Sequence, residues 1–209
     1  YDDEKSIHFG IIPRSNRGIF VINELPDLQA RIQVALFNIL QEGDIQIRGF
    51  KLRMPLDILF VFTANPEDYT NRGSIVTPLK DRIESQILTH YPKNIDHALM
   101  ITEQEADITG DQQVRVKISD LVPRIIEQVD FEARGSEFVD KKSGVSARLT
   151  IAAYENAVSA AERRALLNNE KETQVWMSDL VGIIPSITGK IELVYEGEQE
   201  GPYQVAFNL

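Results

Sequence analysis

Gly18-Ile19-Phe20-Val21-Ile22-Asn23-Glu24 and Asp57-Ile58-Leu59-Phe60-Val61-Phe62-Thr63-Ala64-Asn65 are the two stretches whose reading decides the fold. Each is a short apolar run, the first rich in β-branched residues, that stops abruptly on polar side chains. That pattern suits a strand buried on both faces of a parallel sheet. Strands of such a sheet present their last residues at its carboxyl edge, where α/β proteins bind ligands. Asn23, Glu24 and Asn65 are therefore expected to share one crevice.

Between the two runs, Pro26 to Gln41 carries Leu28, Ile32, Leu36, Ile39 and Leu40 at helical spacing. Pro26 falls in the first turn and Gly43 lies just past the end, which predicts a helix. Ile45 to Arg48 and Phe50 to Met54 alternate apolar and polar residues around Gly49, predicting a β-hairpin closed by Pro55. After the second run come a loop, Pro78-Leu79-Lys80-Asp81-Arg82-Ile83, and a predicted third strand from Ser85 to His90 that Pro92 ends. Strand, helix, hairpin, strand, loop, strand is the order of the later half of an α/β sheet domain. Beyond Lys93 the pattern turns helical, over Ile95 to Glu105, Ser119 to Ala133, and Ser146 or Thr150 to Asn168, with a further helix-like stretch from Trp176 to Ile187. The expected division is an α/β part over 1–93 and a smaller helical domain over 94–209.

Composition narrows the function classes. The 209 residues carry a formal net charge of -10, with basic residues scattered. This argues against a nucleic-acid-binding face, which needs clustered Lys and Arg. Cysteine does not occur and only His8, His90 and His97 are present, so disulfides and thiolate metal sites are excluded and a His-rich site is not expected. No apolar run reaches the roughly 18 to 20 residues that cross a bilayer, and Tyr1-Asp2-Asp3-Glu4 is unlike a basic signal-peptide start. A soluble protein of the reducing cytoplasm, with no membrane partner, is the expectation.

In this order, the elements from Arg17 to Pro92 resemble the AAA+ ATPases of the MoxR and magnesium-chelatase small-subunit group. In that group a hydrophobic strand ends in an acidic pair, Walker B, and a helix and hairpin follow. A second strand then ends in an Asn, sensor 1, and a Leu-x-Asp-Arg element carries an arginine that reaches the neighbouring subunit's nucleotide. The resemblance implies an α/β P-loop sheet domain with a β-hairpin insertion and a helical lid. It implies ATP and Mg²⁺ as cofactors, Glu24 polarising the attacking water, Asn65 positioning it or sensing the γ-phosphate, and Arg82 acting in trans as an arginine finger. These are groups that phosphoryl transfer uses. Gly144-Val145-Ser146-Ala147-Arg148-Leu149 looks like the family's sensor 2 segment, with Arg148 the candidate to face the phosphates in cis. Arg163 and Arg164 read as a solvated helix face. Arg72 reads as a loop charge, and Arg48, Lys51 and Arg53 as a solvated face of the hairpin, which the resemblance would aim at a ring pore.

Two departures from the family pattern stand out. No G-x-x-x-x-G-K-S/T occurs in the sequence, since Gly189-Lys190 lacks the upstream glycine and precedes Ile191. The backbone cradle and lysine of a phosphate-binding loop are thus missing, and the resemblance would place that loop before Tyr1. Asn23 stands where Walker B has the Asp of the Mg²⁺ shell, and an amide brings a carbonyl acceptor but no charge. The implied function is a motor subunit of a homo-oligomeric ring, expected to be a hexamer, that remodels a protein client or works with a von Willebrand factor A domain partner. The alternatives are a magnesium-chelatase motor, a non-catalytic nucleotide sensor or scaffold, and a plain binding module.

Overall fold

The computed structural model describes residues 8–46, 52–65, 74–141 and 144–209. The chain divides into two compact units, Tyr1–Leu88 and Thr89–Leu209. Among the described residues no helix is long and apolar enough to cross a membrane.

The first unit opens with a helical turn, α1 (Ile11–Arg14), and strand β1 (Gly18–Ile22). A 3-10 turn over Leu25–Asp27 leads to helix α2 (Ala30–Glu42), which ends at Gly43 in the left-handed conformation, φ 64°. Strands β2 (Asp44–Gln46) and β3 (Arg53–Pro55) pair antiparallel, then come β4 (Ile58–Phe62) and the short helix α3 (Thr77–Lys80). The predicted hairpin is thus present in its flanks, while Arg48, Gly49 and Lys51 lie outside the described residues. β1 and β4 run parallel in the register Gly18↔Ile58 to Ile22↔Phe62. Ile22, Phe60 and Phe62 pack on a core of Leu25, Leu36 and Leu79.

Three expectations for this unit need correction. Among the described residues the parallel strands are covered on one face only, because Ile19 and Val21 of β1 and Leu59 and Val61 of β4 are exposed. Pro26 sits in the 3-10 turn and not in α2, which starts four residues later. Ser85–His90 forms no strand, and Ile87 and Leu88 are 91% and 76% exposed. An apolar segment becomes a strand only by exchanging backbone hydrogen bonds with a neighbour, and among the described residues this one has none.

The second unit is helical. Helix α4 (Ile95–Glu105) takes the predicted bounds, with the Asn94 side chain accepting the His97 N–H at 2.8 Å as its cap. Helix α5 (Gly110–Arg115) starts in a capping box between Thr109 and Gln112, a short element that the apolar periodicity did not single out. It leads through β5 (Val116–Lys117) to α6 (Leu121–Gly135) and the central α7 (Leu149–Leu167). Strand β6 (Thr173–Gln174) pairs parallel with β5, and a 3-10 segment, Met177–Ile183, continues into α8 (Ile184–Thr188). The tail forms α9 (Tyr195–Glu200) and α10 (Pro202–Asn208).

One face of α7, with Leu149, Ala153, Ala157, Val158, Ala161 and Ala165, is fully buried. Its small side chains let neighbouring backbone approach closely: a Cβ added at Gly182 would lie 3.0 Å from that of Ala160. Buried polar groups tie three helices together. The Thr102 hydroxyl of α4 donates to Glu127 Oε1 of α6 at 2.6 Å and lies 2.8 Å from the Thr150 hydroxyl of α7. Burial of such groups is tolerated because they satisfy one another.

Candidate functional site

The parallel register decides where the first unit's polar residues fall. β1 and β4 stop level with each other at Ile22 and Phe62, so Asn23, Glu24, Thr63 and Asn65 all emerge at one sheet edge. Asn23, Glu24 and Asn65 are exposed there. The Thr63 hydroxyl donates to Asn23 Oδ1 and accepts the Glu24 N–H at 3.0 Å. Asn23 thus uses one acceptor position of its carboxamide within the protein, leaving the other for a ligand. Glu24 adopts φ 53°, ψ 56°, a left-handed conformation that a non-glycine residue takes only when its surroundings hold it there.

Arg82 follows α3 in a tight turn and is exposed, its guanidinium 5.8 Å from the centre of the Phe37 ring of α2. The turn is anchored by Gln33 of α2, which is only 1% exposed. Its amide donates to the carbonyls of Leu28 at 2.9 Å and Ser74 at 3.2 Å, and its carbonyl accepts the Val76 N–H at 2.8 Å. One buried glutamine thereby fixes the segment from which α3 and Arg82 start. Leu79, fully buried, holds α3 to the core from the other side.

Arg148 belongs to the second unit. It is the N-cap residue of α7 and exposed, and its backbone N–H donates to Ser146 Oγ at 3.3 Å. The segment before it is fixed by Tyr91, whose hydroxyl donates to the Val145 carbonyl at 2.7 Å, and by an antiparallel bridge between Val145 and Ile191.

Of the arginines read as solvated, Arg163 is exposed but Arg164 is half-buried and paired. Its Nε and Nη2 donate to the two carboxylate oxygens of Asp179 at 3.0 and 2.9 Å, and it also reaches the Thr173 hydroxyl and the Gln174 carbonyl. Burial pushes the Asp179 carboxyl up, but the hydrogen bonds from Arg164 and the Trp176 N–H, with the Arg164 charge, outweigh it and hold it below the ordinary carboxylate value. Arg53 is exposed and paired with Asp44 at 3.4 Å. Arg72 lies outside the described residues.

Thr63 and Gln33 are the residues that sequence reasoning missed. Thr63 was visible only as part of the Thr-Ala-Asn-Pro string, and Gln33 as a polar residue between apolar helix positions. Neither carries a local signal for its long-range partners, which lie about forty residues away in the chain.

Among the described residues no cluster of three acidic or histidine side chains could cage a metal. The donors at the sheet edge are one carboxylate and two amide carbonyls, which suit contacts to a metal's water shell and not a direct cage. What the edge offers is an exposed carboxylate in a held conformation, two amides beside it, and a separate exposed arginine.

Several known proteins are similar to parts of this chain. Residues 1–87 match the family described as Sigma-54 interaction domain. The magnesium-chelatase 38 kDa subunit of Cereibacter sphaeroides is 27% identical over 49% of this chain and 30% of its own length. That of Rhodobacter capsulatus is 24% identical over 59% of this chain and 36% of its own. The chain therefore spans about a third of the length of these curated relatives. A solved structure of NtrX from Brucella abortus in complex with ADP is 16% identical over 81% of this chain and 36% of that one, with a TM-score of 0.45. The Sigma-54 interaction match covers the two parallel strands, the polar edge and Arg82, and the chelatase relatives extend the likeness: over these residues the chain is similar to AAA+ ATPases.

Proposed function

We propose that this chain contributes the water-orienting, sensing and arginine-finger parts of an ATP-hydrolysing ring motor. The observation that carries the reading is the common sheet edge, where Glu24 is held left-handed beside Asn23 and Asn65 within the family-matched residues. ATP bound with Mg²⁺ supplies the phosphoryl group and the divalent charge. Glu24 orients a water molecule and accepts a proton from it, and the Asn65 amide helps to position that water. The second acceptor position of Asn23 would hold a water of the metal's shell. Arg82, exposed on its turn, places positive charge where negative charge grows on a neighbouring subunit's nucleotide, and Arg148 keeps the phosphate-facing role that the family resemblance gives it. The reading requires a phosphate-binding loop that these 209 residues do not contain. It extends to a homo-oligomeric ring, a hexamer, acting on a protein client or a von Willebrand factor A partner.

The test uses the ring itself. Arg82→Ala should cut turnover by about 10³-fold with nucleotide affinity nearly intact, because the guanidinium acts mainly in the transition state. Glu24→Gln should also abolish turnover, but in cis. The two defects lie on opposite sides of one subunit interface, so mixing the two variants should restore part of the activity. Mixed rings that assemble, by co-purification of two tags, yet stay inactive at every ratio would refute the trans role of Arg82. Wild-type rings that bind ATP without turning it over would favour a nucleotide sensor or scaffold. A second reading, a motor for metal insertion into a porphyrin, is favoured by the names of the two chelatase relatives. Failure of the protein to support chelation alongside the other chelatase subunits would remove it.

A further inference from the structure

The chain leaves β1 by a route that a regular parallel ladder does not take. With Ile22 opposite Phe62, the Thr63 N–H donates to the Ile22 carbonyl at 3.0 Å, as the register requires. The next bond of a regular ladder would run from the Glu24 N–H to the Thr63 carbonyl. Instead the Leu25 N–H takes that carbonyl, at 2.9 Å. One residue has been inserted, Glu24 is thrown into the left-handed region, and its N–H has lost its ladder partner. The Thr63 side chain supplies the replacement: its hydroxyl oxygen accepts the Glu24 N–H at 3.0 Å.

A hydroxyl has one proton and two lone pairs. Asn23 Oδ1 takes the Thr63 proton, which turns a lone pair toward Glu24. The three residues thus form a directed chain, Glu24 N–H to Thr63 to Asn23, in which each group has one role.

We infer that Thr63 is the positioning residue for Glu24: its hydroxyl stabilises the one-residue bulge at the end of β1 and so decides which way the Glu24 carboxylate leaves the sheet. Without the hydroxyl, the bulged arrangement leaves the Glu24 N–H unpaired. The alternative, with Glu24 extended and its N–H on the Thr63 carbonyl, is then favoured. Successive residues of an extended strand point to opposite faces, so that relaxation redirects the carboxylate. The consequence for catalysis rests on the proposed role of Glu24; the conformational claim does not.

The experiment is NMR of the isotopically labelled protein with Thr63→Val, which keeps shape and strand preference but removes the hydroxyl, and with Thr63→Ser, which keeps the hydroxyl. Thr63→Ala is a second hydroxyl-free variant should valine disturb the fold. In Thr63→Val the Glu24 Cα shift and HN–Hα coupling should move from left-handed to extended values, and Thr63→Ser should retain the wild-type values. In the nucleotide-hydrolysing assembly Thr63→Val should lower kcat by about a hundredfold with KM for ATP little changed, and serine should restore it. A left-handed Glu24 in both hydroxyl-free variants overturns the inference whether or not the protein hydrolyses ATP. So does an extended Glu24 in Thr63→Ser. Absence of turnover in the wild type refutes only the catalytic reading, which separates the two failures.

Discussion

Asp130 of α6 offers a prediction whose size follows from its surroundings. It is 1% exposed, its Oδ2 is paired with Arg134, and its Oδ1 is buried without a hydrogen-bond partner among the described residues. Glu127, one turn earlier and equally buried, bonds to Thr102. Arg134, stacked 4.0 Å from the centre of the Tyr91 ring, is the cation that both carboxylates share. Two carboxylates and one guanidinium cannot be neutral when fully ionised. Burial pushes the Asp130 carboxyl up from 3.8 to about 6, with Arg134 opposing and the Glu127 charge adding to the rise. Between those values the native protein keeps a proton that the unfolded chain has released, so stability falls as pH rises through the window and levels off above it. About two pKa units at 1.36 kcal/mol each make about 3 kcal/mol. Asp130→Asn is neutral at every pH. The wild-type unfolding free energy minus that of Asp130→Asn should therefore drop by about 2 kcal/mol between pH 4 and pH 7, the remainder of the ~3 kcal/mol falling below pH 4, whatever constant offset the lost ion pair adds. Urea unfolding followed by the fluorescence of Trp176, the sole tryptophan and a residue of the same unit, measures it. Glu127→Gln should move the midpoint to lower pH by removing a neighbouring negative charge. A difference that stays constant across the range would refute the reasoning.

Arg164→Met should destabilise the second unit by about 2 kcal/mol in the same assay, since it strands the nearly buried Asp179 carboxylate while Arg164 itself is 28% exposed. Because Asp179 is held below its ordinary value of 3.8, that difference should be complete above about pH 4 and shrink only on further acidification. Gly197→Ala should cost about 1 to 3 kcal/mol, because a Cβ there would lie 2.5 Å from the Phe138 carbonyl oxygen; an unchanged urea midpoint would show that α9 can shift away. Asn23→Asp should lower the Mg²⁺ concentration for half-maximal ATP turnover while preserving the bond to Thr63, since a carboxylate accepts as an amide does. An unchanged or raised requirement would count against a contact between Asn23 and the metal's shell.

Features that depend on neighbouring residues in the chain were legible without a structure. The runs ending at Asn23 and Asn65 read as strands, Ile95–Glu105 read as a helix with its observed ends, and Gly43 read as a helix stop. In each case the signal is periodicity, or one residue's conformational freedom, acting within a few positions. The order of these elements carried the resemblance under which Glu24, Asn65 and Arg82 are proposed for family roles. Tertiary structure decided what needed a distant partner. Pro26 fell in a 3-10 turn directly after the left-handed Glu24, whose N–H is taken by Thr63, 39 positions away. Among the described residues, Ser85–His90 has strand composition but no ladder neighbour, and only one face of β1 and β4 is covered. Arg164 paired with Asp179, and Gln33 became the anchor of α3 by bonding to backbone at Ser74 and Val76. A helix satisfies its backbone within four residues and so can be read from the chain. Strands, bulges and buried polar side chains are satisfied by groups that only folding brings within 3 Å.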